Sequence, residues 1–239
     1  MRKIQTVLNW SSGKDAALAY EMLRNNNTYE VKYLLTTINS EHDRVFMHGL
    51  RSTLLDIQAE RMGLPLIKVS LPPSPDDSLY KNAMQENMSQ LKAEGIAAAA
   101  FGDIFLEDIK QYRESQLKTV GIKAVFPLWK QNSKDLVAMI EETGIEAIIV
   151  CVSEKYLGKD FLGRKINKAF LDMLPENVDP CGENGEFHTF VCNAPYFSSP
   201  IPIKTGETVY KNYAPVSDKA DDTKWDSGFY FLDILPDTH

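Results

Sequence analysis

Trp10-Ser11-Ser12-Gly13-Lys14-Asp15-Ala16 joins a short apolar-rich stretch, Ile4–Asn9, to a segment, Asp15–Arg24, in which Ala16, Leu18, Ala19, Met22 and Leu23 recur at helical spacing. The reading is strand, tight turn, helix. Small residues in such a turn let backbone N–H groups close around an anion. The helix N-terminus adds unpaired donors and positive partial charge, and Lys14 adds a full positive charge at the same place. The loop is a candidate phosphate cradle. It does not satisfy G-x-x-x-x-G-K-[ST], which excludes the ordinary P-loop. Spacing alone leaves open an ordinary strand–helix turn with an exposed lysine.

Outward from the loop the alternation continues. Val31–Ile38 and Pro65–Leu71 read as strands. Leu50–Met62 reads as a helix closed by Gly63, with Pro65 just beyond. A helix over Asp77–Glu94 ends at Gly95, Ile96–Phe101 is a buried strand, Ile109–Val120 a helix and Lys123–Phe126 a fifth strand. Strand–helix alternation implies parallel pairing through right-handed crossovers, hence an α/β fold with a doubly wound parallel sheet of five strands. Ligands on such sheets sit at the carboxyl ends of the strands near the switch in strand order, which singles out the loops Trp10–Lys14 and Gly102–Asp103.

Past Pro127 come a helix over Asp135–Glu142, a strand over Ala147–Val152, a helix over Arg164–Leu174 and a strand over Phe187–Cys192. Pro195, Pro200, Pro202 and Pro215 suit edge strands and loops. The acidic stretch Asp218–Asp226 reads as a solvated loop. The expected division is residues 1–128 as a nucleotide-sized unit and 129–239 as a smaller α/β unit.

The chain has 239 residues, 44% hydrophobic and 25% charged, an ordinary globular composition. Its 26 Lys and Arg against 33 Asp and Glu give a net charge of −7, a poor default for nucleic acid or anionic membranes. The longest apolar runs are of strand length, so no membrane span is expected. Met1–Trp10 lacks the apolar core of a signal peptide, and a cytoplasmic location is expected. Cys151, Cys181 and Cys192, odd in number and far apart, fit reduced thiols.

A second motif is denser in chemistry. Asp179-Pro180-Cys181-Gly182-Glu183-Asn184-Gly185-Glu186-Phe187-His188-Thr189 packs carboxylates, an imidazole, a thiol and a hydroxyl into a glycine-interrupted turn that leads into a strand. On a strand, Glu186 and His188 share a face, and Glu183 reaches it from the turn. Such a cluster binds Mg²⁺, holds ammonium or moves protons. Three other readings stand beside this one: a polar turn with incidental charges, a zinc site from Cys181, His188 and Cys192, and a Cys181–His188 thiol-hydrolase pair.

At these residues the chain resembles a known family. Ser11, Gly13, Lys14 and Asp15 are similar to the pyrophosphate loop S-G-G-K-D-S of the N-type ATP pyrophosphatases (the PP-loop superfamily), with Ser12 in place of Gly and Ala16 in place of Ser. The second motif resembles the G-E-[GN]-G-E-F-H-T signature of the diphthine–ammonia ligase family. Further similar stretches follow in order: Met47-His48-Gly49, Gln58-Ala59-Glu60, Gly63-Leu64-Pro65, Phe101-Gly102-Asp103-Ile104, Arg113-Glu114, Pro127-Leu128-Trp129 and Phe161-Leu162-Gly163-Arg164.

The resemblance implies an adenine nucleotide alpha hydrolase-like sheet followed by a substrate domain. It implies ATP and Mg²⁺ as cofactors and cleavage between the α- and β-phosphates. A carboxylate is adenylated and ammonia then displaces AMP. The implied acceptor is a modified histidine on elongation factor 2. By position, Ser11, Ser12, Gly13 and Lys14 would hold the phosphates, and Asp15 would assist Mg²⁺ or cap the helix. Gly102 and Asp103 would lie near the nucleotide. Lys14, Glu183, Glu186 and His188 form the implied catalytic set, with Gly185, Thr189 and Arg164 toward the acceptor. His48 is a further candidate nucleotide contact, and Trp129 reads as packing. A homodimer is expected for a soluble enzyme of this kind. Two rival functions are a tRNA-modifying pyrophosphatase on the same sheet, which the net charge of −7 disfavours, and a non-catalytic nucleotide binder, motivated by Ser12 and Ala16.

Overall fold

In a computed structural model the described residues are 2–45, 49–213 and 227–237. His48 and the acidic stretch Asp218–Asp226 lie outside them. The elements are β1 (Ile4–Asn9), α1 (Lys14–Arg24), β2 (Tyr29–Asn39), β3 (Arg44–Val45), α2 (Ser52–Met62), β4 (Leu66–Leu71), α3 (Asp77–Ala93), β5 (Ala98–Ala100), α4 (Glu107–Val120) and β6 (Lys123–Val125). They continue with α5 (Ser133–Glu142), β7 (Glu146–Ser153), a 3₁₀ turn at Lys159–Phe161, α6 (Lys168–Leu171), β8 (Phe187–Asn193), β9 (Ile203–Tyr213) and β10 (Ser227–Pro236).

Five parallel strands lie in the order β4-β2-β1-β5-β6. Numbered as parallel strands along the chain, that order is 3-2-1-4-5. The direction of winding reverses between β1 and β5, so the loops after these two strands face one crevice. A two-residue strand, β3, adds an antiparallel hairpin on β2 that the sequence pattern does not announce. Alternation along β1 divides the core: Val7 packs with Met88, Leu91 and Leu117 under α3 and α4, whereas Leu8 packs with α1, α2 and the second sheet. Helices therefore cover both faces, as the doubly wound reading requires.

The second sheet is antiparallel, in the order β8-β7-β10-β9. Its core is continuous with that of the first: Leu18 and Leu23 of α1 belong to the same buried cluster as Ile149, Phe187 and Phe190. Two sequence expectations change here. The helix expected over Arg164–Leu174 shrinks to α6. Gly163 turns with φ +79°, Lys165 bridges Ile148, and the helix begins only where the Asn167 side chain accepts from the Phe170 N–H at 2.9 Å. The tail expected as loops and edge strands instead supplies an interior strand, β10. Its prolines flank the strands rather than interrupt them: Pro200 and Pro202 precede β9, and Pro236 ends β10. Among the described residues no helix is long and apolar enough to cross a membrane.

Gly102 sets how closely the two crevice loops approach. A Cβ there would lie 2.8 Å from the Asp15 carbonyl carbon and 2.9 Å from the Ala16 nitrogen, both backbone atoms. Only a residue without a side chain lets the β5 loop rest on the first turn of α1. Gly102→Ala should therefore cost about 1–3 kcal/mol of stability, as overpacking does, read as a lower midpoint in urea denaturation.

Candidate active site

The phosphate-loop candidate sits where β1 ends and α1 begins, with Gly13 as the N-cap. Ser12, the residue standing where the PP-loop pattern has Gly, has φ +75° and is fully buried. That backbone region suits glycine and strains other residues. Its Oγ has no hydrogen-bond partner among the described residues. A buried orphan hydroxyl at a helix N-terminus calls for an acceptor, and a phosphate oxygen fits.

Gln58 holds the strained turn. This residue is completely buried on the apolar stripe of α2 formed by Leu54, Leu55 and Ala59. Its Nε2 donates to the Ser12 carbonyl at 3.2 Å and the Val191 carbonyl at 2.8 Å, and its Oε1 accepts from the Trp10 indole at 2.8 Å. The Val191 N–H in turn donates to the Ser12 carbonyl at 3.0 Å. One amide thus ties the loop, α2 and β8 together. A polar residue inside an apolar helical stripe is the sequence signal that could have found it.

Lys14 carries the second connection. It is 2% exposed, yet its ammonium has partners on all sides. Nζ donates to the Cys181 carbonyl and to Asp15 Oδ2 at 2.8 Å, and lies 5.3 Å from the centre of the Phe187 ring. The Lys14 N–H donates to Thr189 Oγ at 3.0 Å. The two sequence motifs, about 170 residues apart in the chain, meet at this side chain. Burial opposes the charge most strongly of any single influence, but Asp15, with Cys181 and Glu183 adding to it, outweighs it and holds the ammonium above its ordinary value. Burial raises the Asp15 carboxyl, with Asp179 and Asp103 adding to it and Lys14 pulling the other way. The neighbourhood of Asp15 is thus richer in negative charge than Lys14 alone neutralises.

The turn before β8 is built by its own carboxylates. Asp179 accepts from the N–H groups of Cys181 at 3.0 Å and Glu183 at 3.1 Å. Glu186, 1% exposed, accepts from the Asp179 and Asn184 N–H groups at 3.0 and 2.9 Å and from the Asn184 side-chain amide at 3.1 Å. Gly182 and Gly185 turn the chain at φ +68° and +87°. Glu183 is different: it leaves the turn and accepts from the Ile104 N–H at 2.8 Å, reaching the loop after β5. Burial, with Asp15 and Asp103 nearby, pushes Glu183 up to about 7.

Alternation along β8 separates the remaining candidates. Phe187 and Thr189 face Lys14, so His188 lies on the opposite face, in register with Cys151. The face expected for Glu186 and His188 is therefore not the one that meets the phosphate loop. Asp103 is gripped by Arg113, Nε to Oδ2 at 2.8 Å and Nη2 to Oδ1 at 3.1 Å, and that guanidinium stacks on Phe101 at 4.3 Å. Arg164 contacts its own segment: the Asp160 carbonyl at 2.8 Å, Met173 Sδ at 3.3 Å and the Phe161 ring at 5.5 Å. Trp129 packs on Phe126, with Lys110 over its ring.

The thiol readings find no support here. Cys181 is buried, its Sγ faces the Ser133 carbonyl at 3.5 Å, and burial drives the thiol far above its usual range. Cys192 lies at the other end of β8, against the Glu146 carbonyl. Among the described residues no three His, Cys, Asp or Glu side chains gather for a metal.

Residues 4–124 match the diphthamide synthase N-terminal domain, and residues 132–221 match the diphthamide synthase C-terminal domain. The chain belongs to the diphthamide synthase family. Similar curated proteins include the diphthine–ammonia ligases of Rattus norvegicus (27% identical over 236 residues, 87% of this chain and 86% of that one) and Danio rerio (27% over 199 residues, 74% and 77%). The Homo sapiens diphthine–ammonia ligase is 27% identical over 185 residues, 68% of each chain. Among solved structures, a U34-tRNA thiolase of Methanococcus maripaludis with its [4Fe-4S] cluster aligns at a TM-score of 0.38 and 14% identity, over 59% of this chain and 57% of that one. So distant a likeness carries no argument.

Two outcomes follow from this geometry for the family member described here. Ser12→Gly relieves a left-handed backbone and removes an orphan hydroxyl, so it should raise stability by about 1 kcal/mol in chemical denaturation. Glu183, raised from 4.5 to about 7, favours the folded state fully below its unfolded value and loses that contribution as pH rises through about 7. Glu183→Gln keeps an acceptor for Ile104 but cannot ionise. Measured side by side, the wild type should lose stability relative to this variant between roughly pH 5 and 8.

Proposed function

We propose that the protein is an ATP-dependent, AMP- and pyrophosphate-forming amide ligase acting on diphthine, the modified histidine of elongation factor 2, with ammonia. The observation that carries this reading is the meeting of the phosphate loop and the Glu183–Thr189 segment at Lys14. Family membership supplies the chemistry that such a meeting would serve.

In this reading Ser11, Ser12, Gly13 and Lys14 hold the triphosphate, the Ser12 hydroxyl finding there the acceptor it otherwise lacks. Gly102 and Asp103 border the nucleotide. The acceptor carboxylate attacks the α-phosphorus and pyrophosphate leaves. Lys14 offsets the charge that grows on the leaving group, an electrostatic contribution that is large in a site closed to water. Ammonia then attacks the acyl carbon and AMP departs. Glu183, with its carboxyl near 7, takes the proton lost from nitrogen as general base.

Thr189 orients the loop through the Lys14 N–H, and Glu186 and Gly185 fix the turn that aims Glu183. The Asp15 carboxylate would help hold Mg²⁺, with the phosphate oxygens as further ligands, and the ion would neutralise phosphate charge there. We place residues 1–128 in the ATP-binding unit and 129–239 in the substrate-binding unit, in the cytoplasm.

Incubation with ATP, Mg²⁺, ammonium and diphthine-bearing elongation factor 2 should yield AMP, pyrophosphate and amide in equal amounts. ADP as the product of productive turnover would overturn the reading. Lys14→Ala should lower kcat by about 100-fold or more, and an unchanged rate would remove the loop from the mechanism.

A further inference from the structure

Among the described residues strand β9 forms one edge of the antiparallel sheet, and its neighbour there is β10. Residues 204–212 are exposed throughout, with Val209 at 43% and Tyr210 at 46%. An edge strand presents a row of free N–H and C=O groups, a template for another strand, and proteins usually guard such edges with proline, bulges or charge. On β9 the proline and the bulge are confined to its beginning, and what guards the rest is charge. Pro202 precedes it, Lys204 is paired with Asp237 at 2.8 Å, and the register with β10 breaks between Leu232 and Ile234, opposite Gly206. From Thr208 onward the ladder with β10 is regular.

The charges on this stretch are self-complementary. Glu207 and Lys211 flank Val209 at two residues on either side, so all three share a face. Along a strand Glu207 and Lys211 stand about 13 Å apart, too far to pair with each other. Neither has an ion-pair partner among the described residues. A second copy laid antiparallel, with a two-fold axis at Val209, sets Glu207 of each copy opposite Lys211 of the other and Val209 against Val209. On the other face Thr208 comes opposite Tyr210, whose ring lies on Tyr230 and whose hydroxyl donates to Glu154 at 2.8 Å, so the seam's pairing rests on the face of Val209. A centre moved one residue toward Thr208 sets Glu207 against Val209, and one moved toward Tyr210 sets Lys211 against Val209. Only the centre on Val209 satisfies both charges.

We infer that β9 is a homodimer seam, through which two copies of this chain join their four-stranded sheets about a two-fold axis at Val209. The seam lies at the opposite edge of the sheet from β8, which carries Thr189, so it leaves the face around Lys14 open.

Sedimentation equilibrium on the full chain tests the seam. The wild type should sediment at twice the chain mass, and a monomer at about 100 μM would overturn the inference. Glu207→Lys alone and Lys211→Glu alone should each raise the dimer dissociation constant about tenfold or more. The double exchange should restore it, because opposite charges again face across the axis. Single variants that dimerise like the wild type, or a double exchange that recovers nothing, would place the contact elsewhere. Val209→Asp should abolish the dimer by bringing two carboxylates together while leaving the far-ultraviolet circular dichroism unchanged. A folded Val209→Asp protein that still dimerises would also refute the seam.

Discussion

A buried ammonium governs the arrangement. Removing a lysine charge from water is expensive unless its protons are satisfied, and the Lys14 side chain is 2% exposed. Helix α1 itself supplies one partner, Asp15. The others, the Cys181 carbonyl and the Phe187 ring, belong to the turn that enters β8. The second sheet must therefore dock against α1 for the phosphate loop to keep its charged residue inside. A lysine free in solvent would impose no such demand, and the two motifs could then lie anywhere relative to each other.

The same docking fixes the backbone of the loop. Ser12 lies in a region that glycine would occupy without strain. Strain of this kind persists only where the surroundings over-determine it. Here the surroundings are two donors converging on one carbonyl, the Gln58 amide and the Val191 N–H. Gln58 also accepts from the Trp10 indole, so the residue before the loop and the strand across from it are fixed by one side chain. Gly102 completes the enclosure from the opposite side by letting the β5 loop touch α1.

What the sequence disclosed follows from which signals are local. The five parallel strands and their helices were legible because period and capping residues act within a few positions, as at Gly63, which ends α2 in the left-handed region. The crevice was legible because strand alternation dictates where winding reverses. The tail was not, because prolines at strand ends and prolines inside loops look alike until pairing is known. The orientation of His188 was not legible either: alternation gives two faces but does not say which one meets Lys14. That depends on the long-range bond between the Lys14 N–H and Thr189. Arg164 reads as a helix start only if Gly163 is not a turn, and here it is one.

The acidic turn shows why a count of carboxylates misleads. Asp179 and Glu186 are each consumed by backbone N–H groups of their own segment, so their charge serves to fold it. Glu183 alone among the three reaches across to another loop, and it gives one oxygen to a single N–H there. Glu183 has one backbone N–H bond, from Ile104, against burial and two neighbouring carboxylates, and its carboxyl is pushed up to about 7. The residue that can exchange a proton near neutral pH is thus the one least used by the fold. The scaffold carboxylates matter to it indirectly, because the turn they hold is what carries Glu183 to the crevice beside Lys14.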